Sequence, residues 1–167
     1  MAGAEVDAVA IHNLAVRYSL AIDDGRLEAV AAMFTADATF AARYGEPLRG
    51  RKAIASFLAA NAAGQRASAH VIEGHLVEPD GEDRAVGIVQ VAAVLDKHGE
   101  TLRLALRCHD RYRRVDGRWL FAHRGIALRY RDRDDAGEWS LAEAIEAAGR
   151  AEVDGQTRYV LERIWPS

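Results

Sequence analysis

Apolar residues Ile11, Leu14, Ala15, Tyr18 and Ile22 recur at helical spacing, while Asn13, Arg17 and Asp24 fall on the opposite side. The chain therefore opens on an amphipathic helix, which Gly25 ends. A second short helix, LEAVAAMF, puts Leu27, Val30, Ala31 and Phe34 on one side, and the pair makes an antiparallel lid. The stretch TADATFAARYGEPLRG reads as a strand, a turn at Gly45 to Pro47 and a short strand or loop. After Gly50, the spacing of Ile54, Phe57 and Leu58 predicts a third helix that closes at Gly64.

From His70 the period changes to two. His70, Ile72 and Leu76 share one face of a long strand, with Val71, Glu73, His75 and Val77 on the other, and PDGED makes a hairpin turn. RAVGIVQVAAVL is apolar on both faces, as expected of a central strand covered on both sides. Beyond a turn at KHGE, Leu102, Leu104 and Leu106 point to the core together with Cys108, Asp110 and Tyr112. Arg103, Arg107, Arg111 and Arg113 point away. Asp116-Gly117 is a strong hairpin signal and leads into WLFAHRGIALRY. Helices followed by a meander of hairpins predict an α+β domain whose curved antiparallel sheet closes with the N-terminal helices around a mostly apolar pocket. In the tail, SLAEAIEAAG reads as a helix with Ser140 as N-cap and Glu143 at N3, whereas TRYVLERIW fits a helix or a strand.

Composition narrows the function classes. At 167 residues, half of them hydrophobic, the chain suits one packed domain. A net charge of -3 exerts no general pull on nucleic acid or acidic membranes. The single cysteine, Cys108, excludes an internal disulfide. His70, His75, His98, His109 and His123 lack zinc spacing and no glycine-rich phosphate loop follows a strand, so neither a metal nor a cofactor is expected. The start carries no secretory pattern and the sequence has no long apolar run, so a cytoplasmic protein is expected, with no membrane partner.

Four stretches carry a resemblance: IHNLAVRYSLAIDDGRLEAVAAMFTADATF, GRKAIASFL, AHVIEG and CHDRYRRVDGRWLFAHR. Together they resemble the SnoaL-like branch of the NTF2-like superfamily, which includes polyketide cyclases, steroid isomerases, scytalone and bile-acid dehydratases, and a dehydrochlorinase. The resemblance implies a cone-shaped barrel, a curved antiparallel sheet wrapped around the N-terminal helices, over residues 1–135. Residues 136–167 are then a C-terminal extension packed on the same domain. It also implies that Asp23 orients His70, which takes a proton, and that Tyr18 and Arg124 match polar pocket positions of these relatives. Cys108 departs from the tyrosine or asparagine common at its position. Ala93 to Leu95 hold no counterpart of a second pocket histidine.

Each candidate has a plainer reading beside the chemical one. His70 is a general base, since an imidazole titrates near neutrality, or a satisfied core histidine. Asp23 sits at the edge of the buried stripe and is a better partner for it than Asp24. Tyr18 donates to a developing oxyanion or packs in the core. Arg124 holds an anionic oxygen or forms a salt bridge, and Asp110 is paired with an arginine or lies in a polar pocket. Cys108 is apolar filling rather than a nucleophile; with Asp110 and Phe57 it is expected along the substrate pocket.

The leading expectation is a cofactor-independent lyase or isomerase, dehydratase-like, acting on a small hydrophobic ring-bearing molecule. Polyketide cyclase or steroid-isomerase chemistry is the alternative, followed by a noncatalytic binding protein or a structural partner subunit. The outward arginines suit pairing between subunits of a homodimer or homotrimer better than nucleic acid, because no aromatic residues interleave with them.

Overall fold

The computed structural model describes residues 2–42, 46–133 and 154–165. Helices α1 (Ala2–Asp23) and α2 (Leu27–Ala32) come first, followed by strands β1 (Phe34–Ala42) and β2 (Leu48–Arg49) and helix α3 (Arg51–Ala62). Four long strands then form a meander: β3 (Gln65–Pro79), β4 (Arg84–Lys97), β5 (Glu100–Val115) and β6 (Arg118–Arg133). A last helix, α4, spans Gly155–Ile164. The expected helix from Ser140 to Gly149, the expected domain limit at residue 135 and part of the turn at Gly45 lie outside the described residues.

The six strands form one sheet in the order β2-β1-β6-β5-β4-β3. This corrects the expected cone-shaped barrel of antiparallel strands. The sheet is open, since its outer strands β2 and β3 do not pair with each other, and it is mixed, since β1 runs parallel to β6. The strand period assigns side chains to faces but is silent on which edges meet. Nor does a tight turn set the direction of β1, which enters from α2. The Phe121 N–H donates to the Met33 carbonyl at 2.9 Å and aligns the starts of β1 and β6.

The helical stripe was legible: Ile11, Leu14, Tyr18 and Ala21 pack with Val30, Phe34, Phe40, Tyr112 and Phe121 in the main core. The hairpin tips also follow the sequence. His98-Gly99 and Asp116-Gly117 each have two successive positive φ values, matching tight turns between twisted strands. Strand β4 is covered on both sides over residues 85–89, as expected, but its outer face is exposed at Gln90 and Val94. Val89 and Val91 face Ala15 and Cys108, while Val86 and Ile88 pack against Val160 and Ile164 of α4.

Helix α4 settles the ambiguous tail. The Asp154 carboxylate caps it, accepting from the N–H groups of Gln156 and Thr157 at 2.9 and 3.1 Å. Its Thr157, Val160 and Ile164 are buried. An aspartate before residues spaced i, i+3 and i+7 was the available signal.

The outer row of arginines is partly engaged. Arg111 lies over the Tyr159 ring, 4.5 Å from its centroid, and bonds Gln156, and Arg113 pairs with Asp37.

Candidate active site

Asp23 ends α1 and reaches the first part of β3. One carboxylate oxygen lies 2.6 Å from His70 Nδ1 and accepts from Ser68 Oγ at 2.7 Å; the other accepts from the His70 backbone N–H at 2.8 Å. A carboxylate only accepts, so His70 carries its hydrogen on Nδ1 and, when neutral, presents a bare Nε2. Desolvation raises the Asp23 pKa, but the bonds from the His70 side chain, the His70 backbone and Ser68 outweigh it and hold the carboxyl below its ordinary value. Asp24 instead is exposed and lies 3.4 Å from Arg26.

His70, Tyr18, Arg124, Cys108 and Phe57 all line one cavity of about 600 Å³. Its walls are largely aliphatic, with Leu102, Leu104 and Leu106 on β5 beside Ile126 and Leu128 on the neighbouring β6. Desolvation raises the Tyr18 hydroxyl to about 12, so it stays protonated as a donor. Desolvation likewise pushes the Cys108 thiol up to about 11, which suits wall packing rather than nucleophilic attack. Asp110 is not at the cavity surface. Fully buried behind Arg124, it accepts from Arg124 Nε at 2.9 Å and Nη2 at 2.7 Å. The guanidinium carbon sits 4.2 Å from the ring centres of both Tyr18 and Phe121.

Bulges aim these side chains. In β6, Tyr112 pairs with Phe121 but Arg111 pairs with His123, so Ala122 is an extra residue. Phe121 faces inward, and the extra residue turns Arg124 inward as well. His123 is sent to the outer face, where it meets Thr39 at 2.8 Å and Thr157 at 3.3 Å.

A second bulge, at Glu73, changes the face assignment along β3: Ile72 pairs with Val91 and Gly74 with Gln90. His75 and Val77 therefore follow His70 and Ile72 to the helix side, and Leu76 is 41% exposed. The uninterrupted alternation had placed His75 away from the pocket side and Leu76 with His70. The available signal was Gly74, because a glycine inside a strand often marks a bulge. His75 Nε2 lies 3.1 Å from Tyr112 Oη, which donates to Asp110 at 2.9 Å. Desolvation lowers the His75 pKa to about 4, so the ring is neutral at ordinary pH. Sequence reasoning missed both His75 and Tyr112 as supports of Asp110.

Among the described residues, no group of three or more His, Cys, Asp or Glu side chains could hold a metal ion.

No curated protein matches the chain by sequence. Solved structures match it by fold. A scytalone dehydratase candidate from Novosphingobium aromaticivorans DSM 12444 superposes with a TM-score of 0.72 at 23% identity, covering 76% of this chain and 87% of that one. The hexachlorocyclohexane dehydrochlorinase of type 3 from Novosphingobium barchaimii LL02 superposes at 0.69 and 17% identity, covering 81% and 94%. A protein of unknown function from Mycobacterium tuberculosis gives 0.67 and 26% identity, covering 96% and 92%. Residues 6–125 match the model of the SnoaL-like domain. With that match spanning most of the chain and the fold shared by these structures, the protein belongs to the SnoaL-like domain family of the NTF2-like superfamily.

Proposed function

We propose that this protein is a cofactor-independent lyase or isomerase, dehydratase-like, in which His70 removes a proton from carbon on a small ring-bearing hydrophobic molecule. The observation that carries the reading is the Asp23–His70 pair, whose histidine lines a largely apolar cavity of about 600 Å³. Asp23 fixes the tautomer and stabilises the imidazolium formed when Nε2 takes the proton. Tyr18 and Arg124 supply N–H and O–H donors to the oxygen that gains negative charge or departs. Exclusion of water by the leucine walls strengthens those contacts. The scytalone dehydratase candidate and the dehydrochlorinase are named for eliminations, which favours elimination over cyclisation or double-bond migration here.

Proton transfer can be read without knowing the substrate. In deuterated water, the protein is expected to exchange protons next to the carbonyl of cyclic ketones and to dehydrate cyclic β-hydroxyketones. His70→Gln should lower either rate by about a hundredfold or more. A folded His70→Gln protein with undiminished rates would end the assignment.

The open cavity also supports this reading over a purely structural subunit, which needs no such space. We further propose a homo-oligomer, because Val71 and Val94 are 59% and 46% exposed on the sheet face opposite the cavity. Light scattering on the purified protein tests that. Among the described residues no helix is long and apolar enough to cross a membrane, and a cytoplasmic location is part of the proposal.

A further inference from the structure

The Arg124 end of the cavity presents a charge pair rather than a lone charge. Arg124 is 3% exposed, and two of its N–H groups are committed to Asp110. The same carboxylate takes the hydrogen of Tyr112 Oη. A phenol has one hydrogen to give, so the Tyr112 oxygen accepts from His75, which must carry its hydrogen on Nε2. His75 Nδ1 is then a bare acceptor and takes a hydrogen from His12 Nδ1 at 3.3 Å. One directed chain of hydrogen bonds thus runs from exposed His12 through His75 and Tyr112 to Asp110.

We propose that Asp110, held by Tyr112 and His75, sets the charge selectivity of the cavity. Arg124 is offered as a net-neutral donor, so the group bound at this end is an uncharged carbonyl or hydroxyl oxygen on an apolar ring, not a carboxylate or phosphate. The inference rests on the cavity being the ligand site proposed above and adds the chemical class of its ligand. An anion brought to Arg124 loses its hydration and meets the fixed negative charge of Asp110 directly behind the guanidinium, so little net attraction offsets the desolvation. A neutral oxygen accepts an uncommitted guanidinium N–H or the Tyr18 hydroxyl without that cost. The other charged lining residues, Lys97, Glu100 and Arg131, lie toward the β4–β5 hairpin, with the Lys97 ammonium on the Asn61 carbonyl at 2.6 Å. Measured along β6, Arg131 is about 20 Å from Arg124. An anionic substituent is therefore accommodated only at that distant end.

Binding of 2-naphthol and 2-naphthoate, measured calorimetrically at neutral pH, tests the inference, because the two share their rings and differ in charge. The wild type should bind the naphthol at least about tenfold more tightly. Lys97→Met, which removes one of the two cations at the far end, should keep or widen that gap. Asp110→Asn, which leaves Arg124 uncompensated, should tighten naphthoate binding by about tenfold or more. Tyr112→Phe, which leaves the pair intact, should preserve the preference. Equal binding of both compounds by the wild type and by Lys97→Met overturns the charge selection while leaving the cavity a ligand site. Failure to bind either compound overturns this inference together with the ligand reading. Should Asp110→Asn not fold, the wild-type comparison decides alone.

Discussion

The Asp110–Arg124 pair gives the most decisive stability prediction. Both groups are essentially removed from solvent, and they meet through two hydrogen bonds of 2.9 and 2.7 Å, with Tyr112 adding a third at 2.9 Å. Asp110→Leu removes both carboxylate acceptors at once and leaves an unpaired guanidinium, only 3% exposed, between the rings of Tyr18 and Phe121. Breaking a buried pair in this way costs about 3–5 kcal/mol. Against a typical total of about 5–15 kcal/mol, that is a large share. For a chain of this size it corresponds to a fall in Tm of roughly 6–20 °C. The double variant Asp110→Leu/Arg124→Met removes both charges and should recover most of the loss, because an apolar replacement of similar volume is often neutral. Urea denaturation of the wild type, both single variants and the double variant closes the cycle. A loss below about 1 kcal/mol in Asp110→Leu, or a double variant whose loss equals the sum of the singles, would refute the argument.

Other consequences concern the packing around α4 and the sheet. Desolvation lowers the His123 pKa from 6.5 to about 4, against the pull of Asp154. Above 6.5 the ring is neutral folded and unfolded; as pH falls toward 4 only the unfolded chain takes up the proton, so stability declines by a few kcal/mol across that window. His123→Gln should lessen the slope of this part of the stability–pH curve, leaving the share that His75 contributes, and urea midpoints at about pH 7 and about pH 5 measure it. Asp154→Ala removes the cap of α4 and should cost about 1 kcal/mol, with faster hydrogen exchange concentrated in that helix. Gly87→Ala would place a Cβ 2.7 Å from the Leu76 carbonyl oxygen and 3.0 Å from the Tyr112 ring. An overpacking loss of about 1–3 kcal/mol should follow, read from the denaturation midpoint.

Much of this molecule was legible in the chain itself. The helical stripe from Ile11 to Ile22, the strand period around Leu102 to Leu106 and the turns at His98-Gly99 and Asp116-Gly117 follow from local periodicity and backbone preference. Asp23 could be preferred to Asp24 because the turn of a helix is fixed at each residue. Parity and the cost of an unpaired charge likewise placed Asp110 inside, paired with an arginine or in a polar pocket, and the structure pairs it with Arg124. His75 was not legible in this way, because one unpaired residue at Glu73 exchanges the faces of everything after it.

Local sequence thus determined the first three helices, the long strands and most of the side chains offered to the interior. Tertiary structure alone decided that the sheet stays open with β1 parallel to β6, that bulges turn His75 and Arg124 inward, and that Asp110 neutralises the arginine on the cavity wall. Periodicity acts between residues a few positions apart. Strand order, register and charge pairing are settled between residues tens of positions apart, by the combined energy of many contacts that no short segment contains.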